Sequence, residues 1–451
     1  MESTICAIST AVGTGAISII RCSGPSAIKN VNTIFKGTNL LKVPSHTISY
    51  GHIVDSDEII DEVLVSIMRA PRTFTKEDIV EINSHGGIAV TNRVLSLLIE
   101  KGCVLAEPGE FTKRAFLNGR IDLLEAEAVG DLINSETEKA RKLAINQITG
   151  QLSSKIKDIR AEIISAQANI EVNIDYPEYD DITVVSKEVL QPQLFKIKKK
   201  LEVLLNEASN GEIIKNGLNV AIIGKPNVGK SSILNALLNE EKAIVTDIPG
   251  TTRDLVEGKI ILAGIVLNII DTAGIRQTRN LVEHLGVQKS INLSETADLI
   301  IYVVDNSVIN LESDLKYLAK IKNPKIIVFI NKDDISSKND YKLFSAYNLV
   351  KGNTKSPTGL DVLKNEIINL FELNKLETKD FSYLSNARHL FLVKTALEYI
   401  NNAIAGLENN VPIDMITIDL KSCYEYLGEI IGETYKEDLL DELFSRFCLG
   451  K

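Results

Sequence analysis

Three things are scarce in this sequence of 451 residues: cysteine, long apolar runs and an excess of positive charge. The 5 cysteines show no paired short spacing, which argues against a disulfide framework and against a structural zinc site. No apolar run is long enough to cross a bilayer, and no secretory signal is recognisable. We therefore expect a protein without membrane contact in the cytoplasm, and a prokaryote-like cytoplasm and an organellar matrix both fit.

The formal net charge of −10 bears on nucleic-acid binding. Tight binding to an RNA backbone depends on lysine and arginine displacing counterions, and an acidic chain lacks that field overall. Residues 196–200 form a local basic patch, but such a run is more often the solvated face of a helix. If the protein acts on RNA, we expect a partner protein to supply most of the contacts.

The sequence does contain a glycine-rich loop, GKPNVGKSS at residues 224–232, directly after the apolar stretch 218–223. Strand, glycine-rich loop and helix in this order is the context in which a G-x-x-x-x-G-K-S match indicates a nucleoside triphosphate site. Lys230 can reach the outer phosphates, and the hydroxyl of Ser231 can ligate Mg²⁺. The candidate nucleotide-binding residues of the loop are Asn227, Val228, Gly229, Lys230, Ser231 and Ser232.

A second motif, DTAG, follows the strand predicted at residues 266–270. In it, Asp271 can hold a Mg²⁺-bound water and the amide of Gly274 can face the terminal phosphate. A polar segment between the glycine-rich loop and this motif is predicted to supply a threonine for the metal. The candidate residues of the two segments are Thr246, Asp247, Ile248, Pro249, Gly250, Thr251, Thr252, Asp271, Thr272, Ala273 and Gly274.

A third motif, NKDD, follows the strand predicted at residues 325–330. The carboxylate of Asp334 can accept from the paired N–H donors on the edge of guanine. Adenine lacks that pair and would leave the carboxylate unsatisfied, so we predict that the nucleotide is GTP. The other candidate residues of this motif are Asn331, Lys332 and Asp333.

The last guanine-contacting loop has two candidate registers. Asn353-Thr354-Lys355 fits the Gly359-Leu360 pair that follows it, and Ser345-Ala346 is the competing assignment. The register with Thr354 is the better of the two, and Thr354 can meet the functional demand, which is only a backbone N–H that faces the base oxygen.

The residue that follows the DTAG motif indicates how hydrolysis differs from that of Ras-like switches. Those proteins have a glutamine there that orients the attacking water, whereas this chain has Ile275, whose side chain cannot hydrogen-bond. Arg253 and Arg276 are candidate arginine fingers, although arginines near a switch are more often solvated. A bound monovalent cation is the alternative source of positive charge, with Asn227 and the stretch 246–251 as oxygen ligands.

The pattern along the chain predicts a multidomain protein, since 451 residues suggest about three domains. Residues 1–118 mix β-rich runs with one helix and read as α+β, while residues 119–216 and 379–451 carry the periodicity of long helices. Residues 217–378 alternate strand and helix as a doubly wound α/β sheet requires. We therefore predict a P-loop GTPase domain inserted into an all-α domain, with rotation of the GTPase as the mechanical output.

Strings outside the GTPase motifs make the chain resemble a specific family, the bacterial and organellar tRNA-modification GTPases that act on wobble uridine (MnmE, also called TrmE). The resemblance covers residues 1–451. The strings that carry it lie at residues 3–10, 15–25, 78–87, 107–123, 386–389 and 447–451.

The resemblance implies roles for residues around GTP. It implies a potassium ion that takes the part of the arginine finger, and a catalytic glutamate that positions the attacking water through a bridging water. The implied residues are Asn227, Thr246, Ile248 and Thr251 for K⁺, Ser231 and Thr252 for Mg²⁺, and Glu283 for catalysis.

The resemblance also implies a folate site away from GTP, for 5-formyl-tetrahydrofolate as a stand-in for the donor 5,10-methylene-tetrahydrofolate. Its residues are Arg21, Glu81, Arg120 and Lys451, and the family more often has lysine at the position of Arg120. Cationic side chains can pair with the glutamate tail of folate, and a carboxylate can accept from the pterin edge. Cys448 is a candidate nucleophile beside this site.

The activity implied by the resemblance is GTP-driven addition of an aminomethyl or carboxymethylaminomethyl group to C5 of wobble uridine U34. The implied partners are a second copy, bound through residues 1–118, tRNA, and an FAD-dependent protein (MnmG, also called GidA) in a heterotetramer. A ribosome-assembly or translation GTPase and a structural GTP-binding protein are the alternatives. The sequence leaves open whether glycine or ammonium supplies the nitrogen and which tRNAs are modified.

Overall fold

The computed structural model describes residues 3–175, 187–240, 256–270, 297–308, 311–321, 323, 325–336, 339–356, 358–376, 383–435, 437–447 and 449–450. Within these residues the chain divides into two compact units. One contains Met1–Asn134, Ala144–Val203 and Phe391–Lys451, and the other contains Ser135–Leu143 and Leu204–Leu390.

The first unit begins with a sheet whose described strands lie in the order β3-β4-β5-β6-β2-β1-β7. All neighbouring pairs are antiparallel except β1 and β7, which run parallel. The strands are β1 (Ile5–Ile8), β2 (Ile17–Ser23), β3 (Phe35–Gly37), β4 (Thr47–Asp55), β5 (Glu58–Met68), β6 (Ile79–His85) and β7 (Val104–Leu105).

Alternation of buried and exposed residues explains how this sheet packs. Along β5, Val63, Val65 and Ile67 are buried while the residues between them are more accessible, as expected for a strand with one face on a core. Two helices, α1 (Ala27–Ile34) and α2 (Ile88–Glu100), contribute to the same core. The opposite face of β4 and β5 carries large apolar side chains that are exposed.

The remaining helices of the first half and of the carboxyl-terminal part have buried apolar residues at the helical spacing that the sequence predicts. Ile156, Ile159, Ile163 and Ile170 are buried along the helix Gln151–Asp175, which packs against the helix Ile413–Ile431. The helices are α3 (Glu110–Leu117), α4 (Leu123–Asn134), α5 (Glu138–Ile148), α6 (Gln151–Asp175), α7 (Lys187–Asn216), α11 (Ala387–Glu408), α12 (Ile413–Ile431) and α13 (Glu437–Ser445). None of the described helices combines the length and the apolar character needed to span a membrane.

The second unit contains a sheet of described strands in the order β13-β12-β11-β8-β10-β9, parallel except for the β9–β10 hairpin. Its central strand β11 is buried over its whole length, as expected for a sheet covered on both faces. The elements are β8 (Leu218–Gly224), α8 (Lys230–Glu240), β9 (Val256–Leu262), β10 (Ile265–Ile270), β11 (Leu299–Asp305), α9 (Glu312–Leu318), β12 (Ile326–Asn331), β13 (Asn348–Lys351) and α10 (Asp361–Leu370). The predicted fold class, an α+β amino-terminal part, helical parts and an α/β P-loop GTPase sheet, is confirmed.

Candidate functional site

The glycine-rich loop connects the carboxyl end of β8 to the first turn of α8, as the sequence predicts. A side chain on Gly224 would approach the carbonyl oxygen of Val303 to 2.5 Å, and one on Gly229 would approach Nδ2 of Asn331 to 2.2 Å. Both glycines also have positive φ angles, 150° and 100°. Only glycine therefore allows this loop to lie so close to the neighbouring strands.

The cationic side chain of the loop points back toward its own backbone. Nζ of Lys230 donates to the carbonyl oxygens of Gly224 at 2.9 Å and of Lys225 at 2.7 Å. Burial lowers the pKa of the Lys230 ammonium. Ser231 and Ser232 are exposed at the start of α8, and Asn227 is exposed with φ of 65°. The loop thus places one ammonium group, two hydroxyls and one amide around the start of the helix.

The carboxyl end of β12 supports the loop from the side. Asn331 is only 2% exposed, and its Nδ2 donates to the carbonyl oxygen of Val228 at 2.8 Å. Its Oδ1 is buried with no partner among the described residues. The next residue, Lys332, has φ of 63° and its Nζ lies 2.6 Å from Oδ2 of Asp305, the last residue of β11. Residues far apart in sequence therefore meet at one edge of the sheet, as carboxyl ends of parallel strands do.

The predicted guanine-reading carboxylate has a basic neighbour. Oδ2 of Asp334 lies 2.5 Å from Nζ of Lys355, and this hydrogen bond lowers the pKa of the Asp334 carboxyl group. Lys355 belongs to the loop after β13, where Oδ1 of Asn353 accepts from the backbone N–H of Lys355 at 3.1 Å. The competing register, residues 345–346, comes before β13, at the opposite end of that strand. The geometry therefore favours the loop that contains Thr354.

Several candidate residues fall outside the described parts of the chain. They are Thr246, Asp247, Ile248, Pro249, Gly250, Thr251, Thr252, Asp271, Thr272, Ala273, Gly274, Glu283, Cys448 and Lys451. Their roles stay predictions.

The candidate folate residues lie in the first unit. Arg21 on β2 and Glu81 on β6 are direct cross-strand partners, and Nε and Nη2 of Arg21 each lie 2.8 Å from Oε1 of Glu81. Both side chains keep about a fifth of their surface exposed, at 20% and 23%. The carbonyl oxygen of Gly450 accepts from Oγ of Ser9 at 3.0 Å and from Nη1 of Arg21 at 3.4 Å. Gly450 therefore lies beside this ion pair.

Two aromatic rings link Arg21 to the third described candidate, Arg120. The guanidinium of Arg21 lies 5.6 Å from the ring centre of Phe111, and that of Arg120 lies 4.8 Å from the ring centre of Phe74. Phe74 packs against the small core cluster that contains Phe111. A ring beside each guanidinium helps to hold it in place, in addition to the Glu81 carboxylate in the case of Arg21.

Sequence reasoning missed some residues that take part in these sites. Asp305 had a usable signal, because it ends the apolar run 299–304 just as Asn331 ends its own strand. Ser9, Phe74 and Phe111 had none, since their neighbours in space lie far away in sequence.

The sequence matches two family models. One is described as "MnmE helical domain" and matches residues 123–448, and the other is described as "GTP-binding protein TrmE N-terminus" and matches residues 4–120. The chain is 49% identical to the tRNA modification GTPase MnmE of Bacillus licheniformis over 99% of this chain and 100% of that protein. It is 48% identical to the tRNA modification GTPase MnmE of Bacillus subtilis over the same shares.

A solved structure of the G domain of the FeoB iron transporter of T. maritima is also similar. It is 30% identical, covers 34% of this chain and 97% of that chain, and has a TM-score of 0.26. The full-length identity to the two Bacillus proteins, together with the two family models, identifies the chain as a member of the MnmE family of tRNA modification GTPases.

Proposed function

We propose that this protein hydrolyses GTP to drive the addition of an aminomethyl or carboxymethylaminomethyl group at C5 of wobble uridine U34 in tRNA. The contact of Asn331 with the carbonyl of Val228, which joins the guanine motif to the phosphate loop, supports the nucleotide-binding part of the proposal. The observation that carries the reaction on tRNA is the similarity to the relatives over nearly the whole chain. The relatives named above, which match over nearly their full length, are tRNA modification GTPases.

Mass analysis of tRNA nucleosides tests the reaction directly. Cells that lack the gene should accumulate U34 without the C5 substituent, and a plasmid copy should restore it. A ribosome-assembly GTPase would leave wobble uridine unchanged in the same strain, and that result would reject the proposal.

The phosphate end of the site is proposed to hold two metal ions. Ser231 and Thr252 would hold Mg²⁺, and Asn227, Thr246, Ile248 and Thr251 would hold K⁺. Oxygen donors suit both hard cations, and the exposed Ser231 and Asn227 fit this use. When bound, the cations supply positive charge that stabilises the γ-phosphate in the transition state. GTPase rates in KCl and in NaCl at equal ionic strength test the K⁺ site, and equal rates would contradict it.

Glu283 is proposed to position the attacking water through a bridging water, because Ile275 has no hydrogen-bonding side chain. Glu283→Ala should lower kcat by about 100-fold or more while the affinity for GTP stays the same. Retained hydrolysis with normal GTP affinity would remove Glu283 from the mechanism.

Arg21, Glu81, Arg120 and Lys451 are proposed to bind a tetrahydrofolate that carries the one-carbon unit, with Cys448 nearby as a nucleophile. The donor set fits, because guanidinium groups suit the carboxylates of the folate tail and Glu81 suits the donor-rich pterin edge. The half-buried ring of Phe74 adds apolar surface beside Arg120, while the fully buried ring of Phe111 packs beside Arg21.

Residues 1–118 are proposed to form the interface of a homodimer. Ile48 and Tyr50 on β4 and Leu64 on β5 are 67%, 61% and 46% exposed, and Tyr50 is the cross-strand partner of Leu64. An exposed apolar sheet face of this kind is typical of a surface that a partner covers. Sedimentation of Ile48→Glu should show a shift from dimer to monomer, whereas a dimer of unchanged affinity would exclude this face.

The remaining assignments concern partners and organisation. An FAD-dependent protein of the MnmG type is proposed to complete a heterotetramer and to supply most tRNA contacts, since the chain has a net charge of −10. The protein is proposed to act in the cytoplasm. Its domains are proposed to comprise residues 1–118, 119–216, 217–378 and 379–451. Measuring the affinity for tRNA with and without the MnmG-type partner tests whether that partner supplies most of the contacts, and equal affinity would contradict this.

A further inference from the structure

The phosphate loop carries a second lysine that is tied to a helix outside the nucleotide motifs. Nζ of Lys225 lies 2.6 Å from Oδ2 of Asp314 and 2.5 Å from Oγ of Ser313, both on α9. Asp314 is 2% exposed, while the side chain of Lys225 is 37% exposed. One end of this ion pair is therefore buried and the other reaches the surface of the loop.

The other oxygen of the same carboxylate is bound from below by the central strand. The hydroxyl of Tyr302 on β11 donates to Oδ1 of Asp314 at 2.9 Å, and Tyr302 is fully buried. Burial and the neighbouring carboxylate raise the pKa of Tyr302, so the hydroxyl stays protonated and continues to donate. Both oxygens of Asp314 thus have donors, as a buried carboxylate requires.

The backbone of Lys225 connects this arrangement to phosphate binding. Its carbonyl oxygen is one of the two that accept from Nζ of Lys230, the lysine expected to reach the outer phosphates. The side chain of Lys225 is held by Asp314, and its main chain contacts Lys230. A shift of residue 225 would therefore move the acceptor against which Lys230 is placed.

A contribution to folding stability alone does not explain the ion pair of Lys225 and Asp314. Replacing a buried ion pair with apolar residues of similar volume is often neutral or stabilising, because desolvation offsets the attraction between the charges. What this ion pair provides, with the further donor Tyr302 on the carboxylate and the further acceptor Ser313 on the ammonium group, is one fixed geometry.

We propose that Asp314 and Tyr302 are positioning residues for GTP binding, which hold Lys225 and through its main chain fix the phosphate loop and Lys230. Both residues are buried, so they act through Lys225 and not by a direct contact with the nucleotide. Fixing the phosphate loop stabilises the bound ground state and the transition state equally, so the loss of either residue changes the affinity for the nucleotide more than it changes kcat. The inference rests on the GTPase activity of the family and adds residues that lie outside its sequence motifs.

A double-mutant cycle tests the proposal in the full-length protein. Lys225→Met, Asp314→Asn and the double variant are compared for the Kd of GDP, the KM and kcat for GTP, and the melting temperature. Each single variant should weaken GDP binding by about 10-fold with kcat within about 3-fold of the wild type, and the double variant should be no weaker than the worse single variant. Lys225→Arg should have a GDP affinity close to that of the wild type, because arginine keeps a positive charge beside the carboxylate of Asp314.

Lys316→Met is the matched control, since it removes an exposed lysine from the same helix without affecting Asp314. It should bind GDP like the wild type. The proposal is wrong if Lys225→Met binds GDP as tightly as the wild type, or if Lys316→Met loses as much GDP affinity as Lys225→Met. It is also wrong if the fold-losses of GDP affinity in Lys225→Met and Asp314→Asn simply multiply in the double variant. If Asp314→Asn does not fold, the comparison of Lys225→Met with Lys225→Arg decides. A wild-type protein that binds no guanine nucleotide would instead reject the GTPase function.

Discussion

The carboxylate of Asp334 lies 2.5 Å from the ammonium group of Lys355, a residue 21 positions later in the chain. This pair joins the guanine motif at the end of β12 to the loop after β13. The lysine is 74% exposed, so solvent screens the pair and little stability depends on it. Its consequence is local, because it lowers the pKa of Asp334 and orients the carboxylate near the place where the guanine edge is expected.

Asp334→Asn should change the preference among bases. An amide at this position cannot accept from both N–H donors of guanine, so GDP affinity should fall by about 100-fold. Xanthine has a carbonyl group where guanine has its amino group, and the new amide N–H can donate to it. Calorimetric titration with GDP and XDP should therefore show a gain for XDP. Unchanged GDP affinity would show that Asp334 does not read the base.

Lys355→Met should make guanine binding more sensitive to acid. Lys355 lowers the pKa of Asp334 in the folded protein, and a lowered pKa means that the ionised form is lost only as pH falls through that lowered value. Without the lysine, protonation begins at a higher pH, near the ordinary carboxyl value. GDP affinity measured from about pH 7 to about pH 4 should thus decline earlier in the variant than in the wild type. Coincident profiles would separate Lys355 from the ionisation of Asp334.

Gly229→Ala should abolish nucleotide binding. The added methyl group would lie 2.2 Å from Nδ2 of Asn331, and φ of Gly229 is 100°. Either the loop or the Asn331 side chain must therefore move, which breaks the hydrogen bond of Asn331 to the carbonyl of Val228. We expect a loss of about 1–3 kcal/mol in the free energy of unfolding and no measurable GDP binding. Urea denaturation and GDP titration measure the two effects.

Gly406→Ala serves as the control for this substitution. Gly406 lies inside α11, and a methyl group there would meet Ile416 at an ordinary 3.5 Å. Its stability should rise slightly, by about 0.5–1 kcal/mol, with GDP binding unchanged. Normal GDP binding by Gly229→Ala would contradict the packing argument.

Glu81→Gln should weaken folate binding without unfolding the sheet. The substitution keeps the volume but removes the charge that faces Arg21 and, in the proposed site, the pterin edge. Affinity for 5-formyl-tetrahydrofolate should drop about 10-fold or more, since a hydrogen bond to a charged group contributes about 1.5–3 kcal/mol. Calorimetric titration measures this affinity. The control is Glu100→Gln, which changes an exposed glutamate on α2. Equal affinity in all three proteins would exclude Glu81 from the folate site.

The strands and motifs at their ends were predictable from local sequence. Leu218–Gly224, Ile265–Ile270 and Ile326–Asn331 are short apolar runs, and each is followed by the polar residues that the sequence analysis selects. A polar group that directly follows a buried parallel strand emerges at the carboxyl edge of the sheet, so its position follows from chain connectivity alone.

The partners of those groups were not predictable in the same way. Nothing in the neighbourhood of Lys225 points to Asp314, which is 89 positions away, and nothing near Arg21 points to Glu81, which is 60 positions away. For the last loop, the Gly359-Leu360 pair already favours the register with Thr354 in the sequence, and the contact of Lys355 with Asp334 supports that prediction.

The sequence by itself determined the family of this protein, the nucleotide that it uses and the order of its strands and helices. These properties follow from short motifs and from apolar periodicity, which act over a few residues. Only the tertiary structure decided which charges meet: Lys225 with Asp314, Asp334 with Lys355, and Arg21 with Glu81. The physical reason is that strand register and helix placement are set by packing summed over a whole core, which no local segment encodes.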